Sequence, residues 1–155
     1  MSKRSKNLAS GASDHQALSS MILADTSGLL ALLDAGEPRH DDVRRAVESD
    51  SGPLLTIDFV LAETDFLVRS GLGDDAGRAF LAQVCAGALQ REPVTPADLS
   101  RAAAILEQFA DKSFGLTDAT LMAVAERLGT PILTLDRRHF GVFRTEKATA
   151  LALLP

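Results

Sequence analysis

The 155-residue chain has no tryptophan or tyrosine, one cysteine, three histidines, and no apolar run near the ~18 residues that would cross a bilayer. Each shortage removes a class of protein. A lone Cys85 excludes an intrachain disulfide, fits a reducing compartment, and is expected to sit in the core as a small helical residue. His15, His40 and His139 form no ligand spacing such as HExxH, and His139 reads as a turn or surface residue. No GxxxxGK[ST] loop is present to cradle a nucleoside triphosphate, which removes the ATPase reading. With 21 acidic against 16 basic residues, the net charge of −5 argues against a general electrostatic binder of nucleic acid. The first twenty residues lack both periodicity and the apolar stretch of a signal peptide, so residues 1–20 are expected to be a flexible tail in which Lys3, Arg4 and Lys6 are solvated. One domain over residues 21–155, soluble and cytoplasmic, is the expectation.

What remains is a regular alternation of strand and helix signals. Residues 21–24 form a short apolar run that ends on Asp25, and Thr26 and Ser27 then open a helix carrying Leu29, Leu30, Leu32 and Leu33. Pro38 suits the first turn of a second helix through Glu48, and residues 54–57 read as a strand followed by Asp58 as the N-cap of a long helix. Asp74 caps a further helix to about Ala88, residues 89–94 form a weak strand, and Thr95, Pro96 and Asp98 match a capping box in which Asp98 is structural. Thr117 and Asp118 open a helix that Gly129 closes, and Pro131 introduces an apolar strand, residues 132–135, ending on Asp136. Residues 137–140 read as one turn and residues 148–153 as a last strand. Such alternation predicts a three-layer α/β/α sandwich around a mostly parallel sheet.

Four acids stand out because their neighbours are apolar. Asp25 and Asp136 fall at the carboxyl ends of strands, where open α/β sheets bind ligands. At about 100° per residue Asp118 shares a helix face with Met122 and Ala125, and Glu63 interrupts an apolar face between Phe59 and Phe66 on one side and Val60 and Leu67 on the other. A carboxylate in such a place is protonated, paired or bound to metal. All-oxygen donors favour Mg2+ or Mn2+ over zinc, and one or two such ions suit phosphodiester hydrolysis. A phosphatase of the DxD type is disfavoured because Ser27 stands where the second acid is needed. Arg137, Arg138, Arg144 and Lys147 form the best patch for RNA phosphates beside Asp136.

The motifs DTSGLL, VLAETDFLV, LTDATLMAVA and ILTLDRRHF, in that order, resemble the PIN-domain family and within it the VapC-type ribonuclease toxins. The resemblance implies that Asp25 and Asp118 hold metal, that Asp136 completes the site, and that Glu63 binds metal or orients water. It further implies hydroxyl support from Thr26, Ser27, Thr117 and Thr134. The implied activity is a Mg2+- or Mn2+-dependent endoribonuclease cutting structured RNA of the translation machinery, a transfer RNA or a ribosomal RNA loop. Its implied partners are a small VapB-like antitoxin and a second copy of the chain in a homodimer, with Leu29, Leu30, Leu33 and Val43 as candidates for the antitoxin groove. The alternative is a catalytically silent PIN-fold module that binds RNA or protein.

Overall fold

A computed structural model of the chain describes residues 21–155; the expected tail, residues 1–20, lies outside the described residues. Its elements, in order, are β1 (Ile22–Ala24), α1 (Thr26–Leu33), α2 (His40–Glu48), β2 (Leu54–Thr56), α3 (Asp58–Leu72), α4 (Asp74–Cys85), β3 (Gln90–Arg91), α5 (Pro96–Gln108), α6 (Leu116–Leu128), β4 (Ile132–Leu133), α7 (Arg137–Phe140) and β5 (Leu153–Leu154). All strand pairs are parallel, in the order β3-β2-β1-β4-β5, with Ile22 opposite Leu54 and Leu23 opposite Ile132. The first two crossovers run toward one edge of the sheet and the later two toward the other. Right-handed connections therefore place α1 to α4 on one face and α5 to α7 on the other. Packing agrees: α1 lies against α2 and α3, α3 against α4, α5 against α6, and α6 against α7. The expected three-layer α/β/α sandwich is the fold.

Because the chain order reverses at β1, the crevice between the carboxyl ends of β1 and β4 is the switch point at which such sheets bind ligands. Short strands suffice here because Ile22, Leu23, Ala24, Ile132 and Leu133 are all buried from both faces. From Ala119 to Ala125 every residue of α6 is buried, since the helix is pressed between the sheet and α5. The expected capping box is present: Thr95 Oγ1 accepts from the Asp98 amide, and the Asp98 carboxylate accepts from the Thr95 amide. Asp98 is buried and gains two bonds from Arg127 of α6, at 2.8 and 3.1 Å, which tie the start of α5 to its neighbour and hold the Asp98 pKa below the usual range against the opposing effect of burial.

Several expectations need correction. Asp58 is the first helical residue and Ile57 takes the N-cap position; the Asp58 carboxylate instead receives a two-pronged bond from Arg91, at 2.7 and 3.1 Å. The weak strand shrinks to β3, two residues long, because the chain turns at once into the α5 cap. The last strand is Leu153–Leu154 rather than residues 148–153, because Thr145 and Thr149 close a turn that places Ala148 at a φ of 59°. Cys85 is exposed at the end of α4, whose buried side is formed by Gly77 and Phe80.

Candidate functional site

The site is built outward from Asp25. β1 ends at Ala24, and Asp25 takes the N-cap position of α1 without capping it through its side chain. That side chain is only 5% exposed and turns to the β4 side. Its Oδ2 accepts from Ser27 Oγ at 2.8 Å and Thr134 Oγ1 at 2.9 Å. Each hydroxyl also accepts an amide from the segment after β4: Ser27 Oγ from Leu135 N at 2.9 Å, Thr134 Oγ1 from Asp136 N at 3.0 Å. Two hydroxyls thus link Asp25 to the segment that delivers Asp136. Burial pushes the Asp25 carboxyl above its ordinary pKa, and these bonds offset part of the rise.

Asp118 stands in the first turn of α6, half-buried, with Oδ2 accepting from the Gly115 amide at 3.2 Å. Its pKa is also raised, first by burial and then by the charges of Asp25 and Glu63, while the Gly115 bond and His139 act the other way. That coupling places Asp25, Glu63 and Asp118 in one electrostatic neighbourhood. Asp136 caps α7 through Oδ1, which accepts from the His139 amide at 3.1 Å; it lies past the end of β4 rather than on it.

Glu63 reaches the site differently from expectation. The buried stripe of α3 is Val60, Thr64 and Val68, whereas Phe66 is 67% and Leu67 39% exposed. Glu63 is therefore on the open side of the helix and does not interrupt a buried apolar face. Its Oε2 accepts from Thr26 Oγ1 at 2.5 Å, which draws it to the start of α1. Thr26, Ser27 and Thr134 thus give the hydroxyl support expected of them, and Thr117 makes no such bond among the described residues.

Reading the sequence missed His139 as a member of the site. Its Nδ1 lies 3.1 Å from Asp136 Oδ2 and 3.6 Å from Asp118 Oδ2. The signal was available: in the run DRRH an N-cap aspartate three residues ahead of a histidine folds that side chain back over the cap. The basic patch is less concentrated than expected. Arg137 donates to the Pro155 carbonyl and Arg144 to the carbonyls of Gly141 and Phe143. Lys147 lines a cleft with Gly129, Thr130 and Pro131, which precede β4, so it lies toward the opposite edge of the sheet from Asp136. Leu29 and Val43 belong to the core, while Leu30 and Leu33 line a groove with Leu67, Leu72 and Leu135.

None of the four acids pairs with lysine or arginine among the described residues, although twelve of the other acids there, among them Asp42, Asp58, Asp65 and Asp98, do. As placed, no three Asp, Glu, His or Cys side chains among the described residues close into a ready-made cage for an ion. Mutual repulsion accounts for that spacing, because each carboxylate turns to a hydroxyl or amide instead of to its neighbours.

In the metal-free protein Asp25→Asn is expected to raise the melting temperature at neutral pH by roughly 2–5 °C. A carboxyl with a raised folded pKa stabilises fully only below its unfolded value of about 3.9, and that contribution is lost as pH rises through the folded value. Asn has no such loss, so the advantage of the variant should shrink as pH falls toward about 4. A variant that melts at or below the parent at neutral pH would show that burial of the Asp25 charge is not a cost.

A PIN domain description matches residues 22–144. The chain is 36% identical over 135 residues to Ribonuclease VapC26 of Mycobacterium tuberculosis, covering 86% of this chain and all of that protein. It is 34% identical over 110 residues to the 23S rRNA-specific endonuclease VapC20 of the same organism, covering 70% and 83% of the two chains. The crystal structure of VapC20, described as a sarcin-ricin loop cleaving toxin, superposes with a TM-score of 0.71 at 27% identity over 86% of this chain and 99% of that one. A DNA-bound VapBC complex from Salmonella typhimurium shares the fold, with a TM-score of 0.64 at 16% identity over 86% and 96% of the chains. With its acids gathered at the switch point of a parallel sheet, a PIN-domain match over most of its length and 36% identity to a VapC ribonuclease along the whole of that protein, the chain belongs to the PIN-domain family, among the VapC ribonucleases.

Proposed function

We propose that this chain is a Mg2+- or Mn2+-dependent endoribonuclease toxin that cuts structured RNA of the translation machinery. The observation that carries the reading is the meeting of Asp25, Glu63, Asp118 and Asp136 at one crevice without a lysine or arginine to neutralise them. The donor set fits a hard divalent ion, since it is rich in carboxylate oxygen, and two of its members hold raised pKa values that a cation would reverse. Asp25, Asp118 and Asp136 would hold the ion, with Glu63 binding it or orienting water. Such an ion supplies polarisation of a phosphoryl oxygen and activation of water.

The residues themselves do the positioning. Ser27 and Thr134 fix the Asp25 carboxylate through Oδ2, and neither takes up its other oxygen, Oδ1. Glu63 is held through one oxygen by Thr26, which leaves the second to accept a proton from water. Arg138, exposed in α7 beside Asp136, offers charge to an RNA phosphate.

Between transfer RNA and ribosomal RNA, the names of VapC20 favour a ribosomal loop. A toxin of this kind would act in the cytoplasm and be held inactive by a small VapB-like antitoxin. The groove of Leu30, Leu33, Leu67, Leu72 and Leu135 suits an apolar segment of that partner, and the acids suit an arginine from it. A homodimer belongs to the same reading.

The test is cleavage of purified ribosomes and of total transfer RNA by the isolated protein, with the new 5′ ends mapped. Discrete cuts in Mg2+ or Mn2+ that vanish on chelation are expected. Cleavage undiminished in excess EDTA would overturn the metal dependence, and no cleavage of either RNA with either metal would favour the silent binding module.

A further inference from the structure

We propose that the rings of His139 and Phe114 form a seat for one unpaired nucleobase beside the phosphodiester to be cut, so that loops rather than duplexes are chosen; the inference rests on the ribonuclease reading above. The chain has seven phenylalanines and no tyrosine or tryptophan, so few rings are available to meet a base. Four of its rings form a continuous series from core to crevice. Phe143 is fully buried, Phe109 lies 6.3 Å from it, Phe114 lies 5.5 Å from Phe109, and His139 lies 5.4 Å from Phe114 with its plane at 82°. The series ends among the acids. His139 Nδ1 is 3.1 Å from Asp136 Oδ2 and 3.6 Å from Asp118 Oδ2, and the amide of Gly115, next to Phe114, donates to Asp118.

The outer end of the series is open: Phe114 is half-buried and 31% of the His139 side chain is exposed. Two rings set nearly perpendicular form a corner in which a planar base stacks on one and meets the other edge-on, both favoured aromatic arrangements. The bond from the His139 amide to Asp136 Oδ1 and the contact of Phe114 with Phe109 hold the corner before RNA arrives, so little ordering is left to oppose binding.

A base is what the position calls for. Every internal phosphodiester has a nucleoside on each side, so a strand laid across Asp118 and Asp136 brings a base to the rim they share with His139. In a duplex that base is stacked on its neighbours, whereas in a loop it is free to turn onto a protein ring. Stacking tolerates any base, so the seat reads the absence of pairing rather than the sequence. Arg138, exposed in α7 one residue before His139, adds charge for the adjoining phosphate.

The test is binding of the full chain to two single strands of equal length, oligoadenylate and a ribose-phosphate strand without bases, in EDTA so that metal-dependent cleavage does not intervene. The acids repel the phosphates of both strands alike, so the ratio of the two affinities reads the bases. The parent should prefer oligoadenylate about tenfold, and His139→Ala and Phe114→Leu should each lower that preference to about twofold or less. A merely structural defect would weaken both strands and leave the ratio. Arg138→Ala should weaken both by the same factor, and Phe66→Ala, at a ring 67% exposed on α3, should leave the preference intact. Annealed to oligouridylate, the adenylate strand should bind the parent no better than it binds His139→Ala. Equal affinity of the parent for the two single strands, or binding to neither, would overturn the seat, as would a full preference in both ring variants or its loss in Phe66→Ala alone. Metal-dependent cleavage alongside any of those results leaves the ribonuclease reading standing. A preference for oligoadenylate in a protein that cuts no RNA keeps the seat and removes that reading. Should His139→Ala fail to fold, Phe114→Leu and the parent ratio decide.

Discussion

Asp118→Asn should keep the fold and lose nearly all RNA cleavage. The amide oxygen of Asn can still accept from Gly115 N, so the first turn of α6 stays closed. What disappears is one of the negative charges that the crevice gathers for a divalent ion. An ion that no longer binds in place forfeits several kcal/mol of transition-state stabilisation, roughly a thousandfold in rate. Asp25→Asn should behave alike, with the added gain in metal-free stability noted above. Single-turnover cleavage of ribosomal RNA, alongside circular dichroism to confirm folding, measures both effects. A folded Asp118→Asn protein that cuts at the parent rate would remove Asp118 from the site.

The second large effect is expected at a residue that touches no substrate. A Cβ on Gly28 would stand 2.5 Å from the carbonyl oxygen of Leu133 and 3.0 Å from its carbon, both backbone atoms of β4. That carbonyl already accepts the Asp25 amide at 3.0 Å. Gly28 thus lets the first turn of α1 lie directly on the strand from which Thr134 and Asp136 follow. Gly28→Val should force β1 and β4 apart at their carboxyl ends, costing about 3 kcal/mol or roughly 10 °C in melting temperature, and should reduce cleavage more than the loss of folded protein explains. Gly71→Ala in α3, where nothing lies within 4 Å, is the matched control and should be neutral or slightly stabilising. Equal melting of Gly28→Val and parent would mean that β4 yields freely, and that the close approach does not position the acids.

Much of this was legible along the chain because local signals agreed with one another. Thr95-Pro96-x-Asp98 can satisfy its backbone only as a helix start, and Gly129, at a φ of 64°, adopts a conformation that ends a helix with little strain. The acids were visible for a related reason: Asp25 and Asp136 interrupt apolar runs at the points where strands give way to helices. Helical azimuth worked less well for Glu63, because it compares neighbours on one helix and carries no information about which side another element will cover. The residues around Glu63 include Phe66 and Leu67, which look like core and prove exposed. Cys85 failed in the same way, since a small apolar residue near a helix end packs inward only if a second layer lies over it.

By itself, then, the sequence determined the strand and helix alternation and the parallel three-layer class, and it marked Asp25 and Asp136 at the ends of apolar runs, because each rests on backbone geometry or on the cost of a charge among apolar neighbours. Tertiary structure decided the rest. It selected β1 and β4 as the pair that flanks the crevice, joined Thr134 to Asp25 and to Ser27 across 109 and 107 residues of chain, brought Thr26 to Glu63, and folded His139 between Asp118 and Asp136. Those contacts arise from strand order and from the close seat of Gly28 on Leu133, and long-range pairing of that kind leaves no periodic trace in the chain that makes it.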